Sequence, residues 1–145
     1  MSKIIHLPDT IPVFPLSNFI FFPNTSAPLN IFEPRYIQMI DDSIKSNRLI
    51  GMAQPKGISN IKKPELFKVG CLGKISSFNE TDDGRYVIVL NGVSRFSIVE
   101  EIDRGKLYRE FKINFHEFEN DNTKEELEVN FSDFSLIFKN LKKIF

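Results

Sequence analysis

The chain has 145 residues, and its 19 Lys plus Arg balance its 19 Asp plus Glu, so its formal net charge is zero. This length fits one domain, and the neutral charge argues against a dedicated nucleic-acid binder, which normally carries a basic excess. Hydrophobic residues make up 41% and charged residues 26%, which is typical of a globular domain and excludes a disordered one. The unusual feature is 15 Phe with no Trp, more than a small core obviously needs.

Two further absences in the sequence bear on the compartment. No apolar run approaches the roughly 20 residues that span a bilayer, and no secretory signal pattern is visible at the start. Cys71 is the single cysteine, so an internal disulfide is impossible. We therefore expect a cytoplasmic protein with no membrane contact.

The first third of the chain is rich in proline, which removes a backbone donor from a sheet. Short edge strands are the expected result, with candidates at Val13-Phe14 and 28–32. A helix is predicted over 35–44, with Glu33 near its start and Pro34 in its first turn. Its buried face is expected to consist of Tyr36, Ile37, Ile40 and Ile44, which recur at helical spacing.

The middle of the chain carries β signals. We predict strands over 49–53, 69–78, 86–90, 95–102 and, with imperfect alternation, 107–118. Asn91-Gly92 has the composition of a hairpin turn, and the segment 81–84 is a second predicted turn. The glycines Gly70 and Gly73 inside a strand indicate a bulge or a close approach of another chain segment.

The period changes after Thr123, where the sequence has the form of a capping box. One amphipathic helix of about 20 residues is predicted there. Two explanations of its apolar seam compete: the chain is cut within a larger protein whose next helices would cover it, or the seam binds another chain. We favour the first. The seam consists of Leu127, Phe131, Phe134, Phe138 and Leu141.

Catalytic and metal-binding motifs are missing from the sequence. It contains no P-loop and no nucleophile-elbow motif, and His6 and His116 are too few and too far apart for a metal motif. Cys71 is interpreted as a buried small side chain, His116 as a surface residue, and Asp82-Asp83 as part of a turn. We expect no enzymatic activity, no metal and no cofactor.

Several segments together resemble the N-terminal domain of Lon proteases, the LON substrate-binding domain. The resemblance rests on the run Ile11–Leu16, on Phe22-Pro23 and on the run 28–36, which ends in Ile31-Phe32-Glu33-Pro34-Arg35-Tyr36. The strand 69–75 and the pair of segments 83–86 and 92–96 continue it. The matching positions include Pro15, Pro23, Phe32, Glu33, Pro34, Arg35, Tyr36, Gly70, Gly84, Arg85, Gly92, Arg95 and Phe96.

The resemblance implies a mainly β (α+β) fold, a PUA-like pseudo-barrel with one short helix over 1–120. Residues 121–145 would begin a helical bundle. The ATPase and peptidase modules of full Lon proteases have no room in 145 residues. The resemblance therefore implies a stand-alone LON-domain protein or a fragment, acting as a non-catalytic module that binds unfolded or degron-bearing polypeptides. Its partners would be such polypeptides, and a protease or the missing C-terminal helices.

For individual residues, structural roles are favoured at the matching charged positions. Glu33 suits the positive helix end, Arg35 is expected to pair with a carboxylate or with carbonyls, and Arg85 and Arg95 are expected to form cross-strand ion pairs. Phe14, Phe32, Phe78, Phe96, Phe111 and Phe115 are assigned to the barrel core.

The candidate binding residues are apolar. Phe19, Ile20, Phe21 and Phe22 form a continuous run, of which strand-like alternation buries only part, and Phe131, Phe134 and Phe138 belong to the helix seam. A filling of the barrel end by all four residues of the run is slightly favoured over a binding role. RNA binding, by analogy with PUA-like barrels, is the alternative function, although the neutral charge weighs against it.

Overall fold

The computed structural model describes residues 7–17, 19–57 and 63–122. Within them lie six strands, one α-helix and one 3-10 helix. The strands are β1 (Thr10–Pro15), β2 (Ser26–Ile31), β3 (Leu49–Ala53), β4 (Val69–Glu80), β5 (Tyr86–Ile102) and β6 (Arg109–Asn114). The helices are α1 (Pro34–Ile44) and the 3-10 helix His116–Asn122, which is kinked at Phe118 (φ −126°, ψ 25°). The predicted bounds of β3 agree with the structure, and those of α1 differ by one residue.

The strands form one closed sheet. Their order is β2-β5-β4-β3-β1-β6, and β6 also pairs with β5, so five strands close into a barrel and β2 lies outside the closure. All pairings are antiparallel except that of β1 with β3. Closure removes the free edges of those five strands. The predicted mainly β pseudo-barrel with one short α-helix is confirmed.

Strand β5 runs without interruption through Asn91-Gly92, so the predicted hairpin turn there is wrong. Gly92 pairs with Gly73 of β4 at a register shift. A Cβ atom at Gly92 would lie 1.9 Å from the backbone oxygen of Phe22. Gly92 is therefore needed because the backbone of Phe22 passes too close to the strand for any side chain. A dipeptide that usually favours a turn lies here within a strand that another segment crosses.

Strand β1 is short, as predicted, but it lies inside the sheet and not at an edge. The Ile113 amide donates to the Asp9 carbonyl at 2.9 Å, and the alternation of an antiparallel ladder then aims the nitrogen of Pro12 away from β6. Pairing with β3 begins only at Val13. The nitrogen of Pro15 points instead toward β6, but the pairing of β1 with β6 has already ended at Val13. The nitrogen of each proline thus points to a side of β1 on which no backbone hydrogen-bond donor is needed.

Strand β2 is an edge strand, as predicted, because its pairing is with β5 alone. The Gly92 amide donates to the Thr25 carbonyl at 2.8 Å. Alternation from that pair places Pro28 opposite Val89 in a non-hydrogen-bonded pair. The proline nitrogen therefore lies on the outer, unpaired edge of the strand.

The core consists of two clusters of buried side chains, and β5 contributes to both. The first cluster includes Ile88 and Leu90 together with the buried face of α1. The second surrounds Phe96, which is fully buried. Phe96 also leaves little space at two glycines, because a Cβ atom at Gly70 would lie 2.7 Å from its ring and one at Gly51 would lie 3.0 Å from it.

The assignment of Phe residues to the core is only partly right. Phe14, Phe96 and Phe111 are buried, and Phe115 is half-buried. Phe32 is 66% exposed and Phe78 is also exposed, so both assignments are wrong. Phe32 follows Ile31, and adjacent residues of an extended segment point to opposite faces. Phe78 lies in the last part of β4, where all residues from 76 to 80 are exposed, and its ring is edge-on to Tyr86 with centroids 4.8 Å apart.

Helix α1 is fixed to the barrel by both apolar and polar contacts. The ring of Tyr36 stacks on Phe14 with centroids 4.1 Å apart, and Met39 and Ile40 are fully buried. The predicted face included Tyr36 and Ile40 correctly, while Ile37 and Ile44 are only partly buried at the margin of the first cluster. No helix within the described ranges is long and apolar enough to cross a bilayer.

Two tyrosine hydroxyls complete this attachment. Tyr86 of β5 donates to the Asp41 carboxylate at 2.8 Å, and Tyr108, just before β6, donates to the Asp42 carboxylate at 2.7 Å. Asp41 and Asp42 are adjacent in α1, so the helix is hydrogen-bonded both to β5 and to the residue that precedes β6. The helix is consequently held against rotation as well as against separation.

The strand predicted over 107–118 ends at Asn114, after which a 3-10 helix begins at His116. The Asn114 side chain accepts a hydrogen bond from the His116 amide at 3.4 Å, and such side-chain contacts compete with the ladder. His116 is exposed, as predicted. The helix predicted after Thr123 and most of the segment 121–145 lie outside the described residues, so that part of the domain division stays a prediction.

Candidate functional site: an apolar groove

A groove of about 370 Å³ opens at one end of the barrel. Its walls come from the loop between β1 and β2, from the end of β3, from the start of β4 and from one residue of β5. Most of the lining is apolar. The lining residues are Leu16, Phe19, Ile20, Phe21, Phe22, Met52, Ala53, Gln54, Phe67, Val69, Gly70, Cys71 and Arg95.

Two side-chain hydrogen bonds hold the loop that forms one wall, one from Gln54 just after β3 and one within the loop itself. The Gln54 side-chain amide donates to the Phe19 carbonyl at 2.9 Å, and the Thr25 hydroxyl donates to the Phe22 carbonyl at 2.7 Å. On the far side, the Phe22 backbone crosses Gly92. The wall is therefore fixed at both of its ends.

Three large side chains in this groove remain open to solvent. Ile20 is 50% exposed, Phe67 49% and Val69 44%. Phe19 and Phe21 are partly buried against the first core cluster, with their ring centroids 6.1 Å apart. Phe19 and Phe21 are supported by the core, and the other three side chains face solvent beside them. Together they make an apolar surface that a partner can cover.

Two cations at or beside the groove, Arg95 and Lys56, are each paired with a carboxylate. Arg95 donates to both oxygens of Asp121, through Nε at 3.0 Å and Nη2 at 2.9 Å. Lys56 lies 3.3 Å from a Glu65 oxygen and 6.0 Å from the centroid of the Phe67 ring. The groove consequently offers apolar surface with little net charge.

Cys71 lines the groove as a free cysteine. Its side chain is buried, as predicted. Burial raises the pKa of the thiol, and the Asp121 carboxylate raises it further while Arg95 lowers it. Thiolate is the reactive form, so the residue is a small apolar part of the floor.

The structure gathers the whole run Phe19–Phe22 in one wall of the groove, so these residues do not simply fill the barrel end. Phe131, Phe134 and Phe138 lie outside the described residues. Pro23 follows the wall, and Pro15 ends β1, one residue before the lining residue Leu16. Among the described residues, no group of three His, Cys, Asp or Glu is placed to hold a metal ion.

The arginines of the matching motifs are each paired with a carboxylate, which is local for Arg35 and Arg85 and distant in sequence for Arg95. Arg35 donates to Glu33 at 2.9 Å and lies over Tyr36, which agrees with the expected carboxylate pairing. The cross-strand pairs predicted for Arg85 and Arg95 are wrong. Arg85 binds Asp83 in its own turn, at 2.7 Å, where Gly84 has φ +83°. The partner of Arg95 lies in the 3-10 helix.

Sequence reasoning missed several contributors to the groove, among them the lining residues Phe67, Val69 and Gln54 and the Arg95 partner Asp121. A signal for Phe67 was present, because Leu66-Phe67 is an apolar pair in an extended segment and only one of the two can point inward. Leu66 is buried and Phe67 is exposed. Asp121 had no such signal, since its partner is 26 residues away.

Comparison with known proteins agrees with this barrel fold. The family described as the ATP-dependent protease La (LON) substrate-binding domain matches residues 10–145. The chain belongs to this family. A Lon N-terminal domain protein from Xanthomonas campestris has the same fold, with a TM-score of 0.59 and 24% identity over 73% of this chain and 59% of that one. The N-terminal domain of a Mycobacterium avium complex Lon protease gives 0.58 and 16%, covering 73% and 54%.

Curated relatives are Lon proteases. That of Desulfosudis oleivorans is 33% identical over 61% of this chain, and that of Syntrophus aciditrophicus is 28% identical over 70% of it. The matched region spans 11% and 14% of those relatives. The shared part is thus the substrate-binding domain alone, and a small fraction of each protease.

Proposed function

We propose that this domain binds unfolded or degron-bearing polypeptides by accepting their apolar side chains in the groove. The observation that supports this most directly is the exposure of Ile20, Phe67 and Val69 around one concave site. The name of the family, a substrate-binding domain of a protease, supports polypeptides as the class of ligand. Binding would be non-catalytic and tolerant of sequence.

The chemistry of the groove fits a segment of chain that has lost its own fold. Unfolded polypeptides expose large apolar side chains that a native protein buries, and about 370 Å³ accommodates one or two such groups. Contacts of this kind are individually weak. A protease of the Lon type is the proposed second partner, to which the bound chain would be passed.

A charge in the groove tests the proposal. The affinity of wild-type protein for an unstructured polypeptide such as casein should be measured without ATP, beside that of Ile20→Asp. An unpaired carboxylate would have to be covered by an apolar ligand, which is costly, so we expect binding to weaken at least about tenfold, or 1.4 kcal/mol.

The matched control is Leu107→Asp, because Leu107 is also a well-exposed aliphatic residue but does not line the groove. Its affinity should equal that of the wild type. Absence of wild-type binding up to high micromolar concentration, or equal losses in the two variants, would contradict the proposal.

RNA binding, the alternative, has no supporting feature among the described residues. Binding to phosphates weakens steeply with salt because counterions are released. Binding in the neutral apolar groove should change little between low and moderate salt. A steep salt dependence with RNA, together with no binding of polypeptide, would reverse the choice.

A further inference from the structure

Arg95 connects the groove to the 3-10 helix. Its side chain lines the groove, and its Nε, its Nη2 and its backbone amide all donate to the Asp121 carboxylate, at 2.9–3.0 Å. Its Cζ lies 4.7 Å from the centroid of the Phe118 ring. Two residues of the 3-10 helix therefore hold one residue of the groove wall.

The burial of this ion pair is unequal. The Asp121 side chain is 2% exposed, whereas that of Arg95 is 39% exposed. A buried carboxylate requires a charged partner, and Arg95 supplies it from the groove side. An apolar ligand in the groove would displace water from Arg95, and covering a guanidinium costs much less when a carboxylate already neutralises it.

We propose that Asp121 is a positioning residue for the groove, and that filling the groove tightens the 3-10 helix on β5. Displacement of water lowers the local dielectric and so strengthens the Arg95–Asp121 attraction. By linkage, the factor by which a ligand stabilises the helix equals the factor by which the attached helix improves ligand affinity. This inference rests on the proposed function, since it uses the same groove.

The groove can be filled without any natural ligand. In Ile20→Cys, a solvent-exposed thiol adds to N-phenylmaleimide, forming one C–S bond and passing its proton to the neighbouring ring carbon. Cys71 is buried and its thiol pKa is raised, so it stays unlabelled. The tether then holds the phenyl group at the groove at a high effective concentration, whatever its affinity as a free ligand.

Amide hydrogen exchange over 116–122 is the measurement. We expect exchange to slow about fivefold on labelling, which is within the usual range of coupling between sites. The control is the same label on Leu107→Cys, outside the groove, which should leave exchange in 116–122 unchanged. Unchanged or faster exchange in the groove-labelled protein would overturn the proposal.

A second arm measures the reciprocal effect on polypeptide affinity. Asp121→Asn and Arg95→Lys should weaken binding by about the same fivefold, while Asp83→Asn, in an exposed ion pair away from the groove, should not. Thermal melting checks that each variant is folded. A folded Asp121→Asn that binds like the wild type overturns the proposal; if the wild type binds no polypeptide, the proposed function fails and the labelling arm still decides the coupling.

Discussion

Two glycines of this barrel are required for different physical reasons. Gly92 lies in a strand, where the Phe22 carbonyl leaves no room for a side chain. Gly84 lies in a turn with φ +83°, and a Cβ atom added there would have nothing within 4 Å. The first glycine is required by space and the second by backbone conformation.

This difference can be measured. Gly92→Ala should lower the free energy of unfolding by about 3 kcal/mol, the upper range for overpacking, because the clash is with backbone. Gly84→Ala should cost only about 1 kcal/mol, the penalty of a left-handed conformation. Urea denaturation followed by circular dichroism gives both values.

Asparagine separates the two causes further, because it tolerates positive φ but is larger than alanine. Gly84→Asn should recover most of the stability lost in Gly84→Ala. Gly92→Asn should be at least as destabilised as Gly92→Ala. Recovery by asparagine at Gly92 would contradict the crossing of Phe22 as the cause.

At the scale of elements, the attachment of α1 depends on pH. Its Asp41 carboxylate accepts a hydrogen bond from Tyr86 and, with partial burial, raises the pKa of that phenol to about 12. In the unfolded chain the phenol titrates near its ordinary value of about 10. Because the folded pKa is the higher one, this contribution to stability is complete below about pH 10 and is lost as pH rises toward about 12.

Urea midpoints measured across this window should fall in the wild type and fall less in Tyr86→Phe. At neutral pH the variant should lose about 1–2 kcal/mol, because a hydrogen bond to a charged acceptor is removed. Tyr108 also has a raised pKa, from burial and Asp42, so the variant keeps part of the decline. Equal declines in the two proteins would refute the role of Tyr86.

The elements that were predictable from sequence are those determined by local pattern. Helix α1 and β3 are examples, since Pro34 marks one start and the run Leu49–Ala53 is bounded by polar residues. The hairpin turn predicted at Asn91-Gly92 was wrong because the turn preference of this dipeptide is local. The crossing by Phe22, which decides the structure there, comes from a residue far away in the sequence. The pair of Arg95 with Asp121 also joins residues far apart in the sequence, so local pattern did not predict it or the side of the groove that it supports.

At the scale of the whole molecule, β5 joins the two core clusters. Ile88 and Leu90 belong to one cluster and Phe96 to the other. A strand shared by both cores leaves neither able to open alone. The barrel should therefore unfold as one cooperative unit.

Phe96→Ala tests this cooperativity. Truncation of a fully buried phenylalanine should cost about 3–5 kcal/mol and shift the whole urea transition without splitting it, as monitored by both tyrosine fluorescence and circular dichroism. Val99→Ala, at an exposed position of the same strand, should change stability by less than about 0.5 kcal/mol. Two separate transitions in Phe96→Ala would show that the clusters unfold independently.

The outer edge of β2 bears on the function proposed above. An unfolded polypeptide can extend any strand whose edge still offers amide donors, and such additions propagate into aggregates. Pro28 places a nitrogen without hydrogen in the middle of that edge, which interrupts the template for a seventh strand. Under the proposed function, a bound chain would thereby be limited to side-chain contacts, from which it can be released, and kept from irreversible incorporation into the sheet.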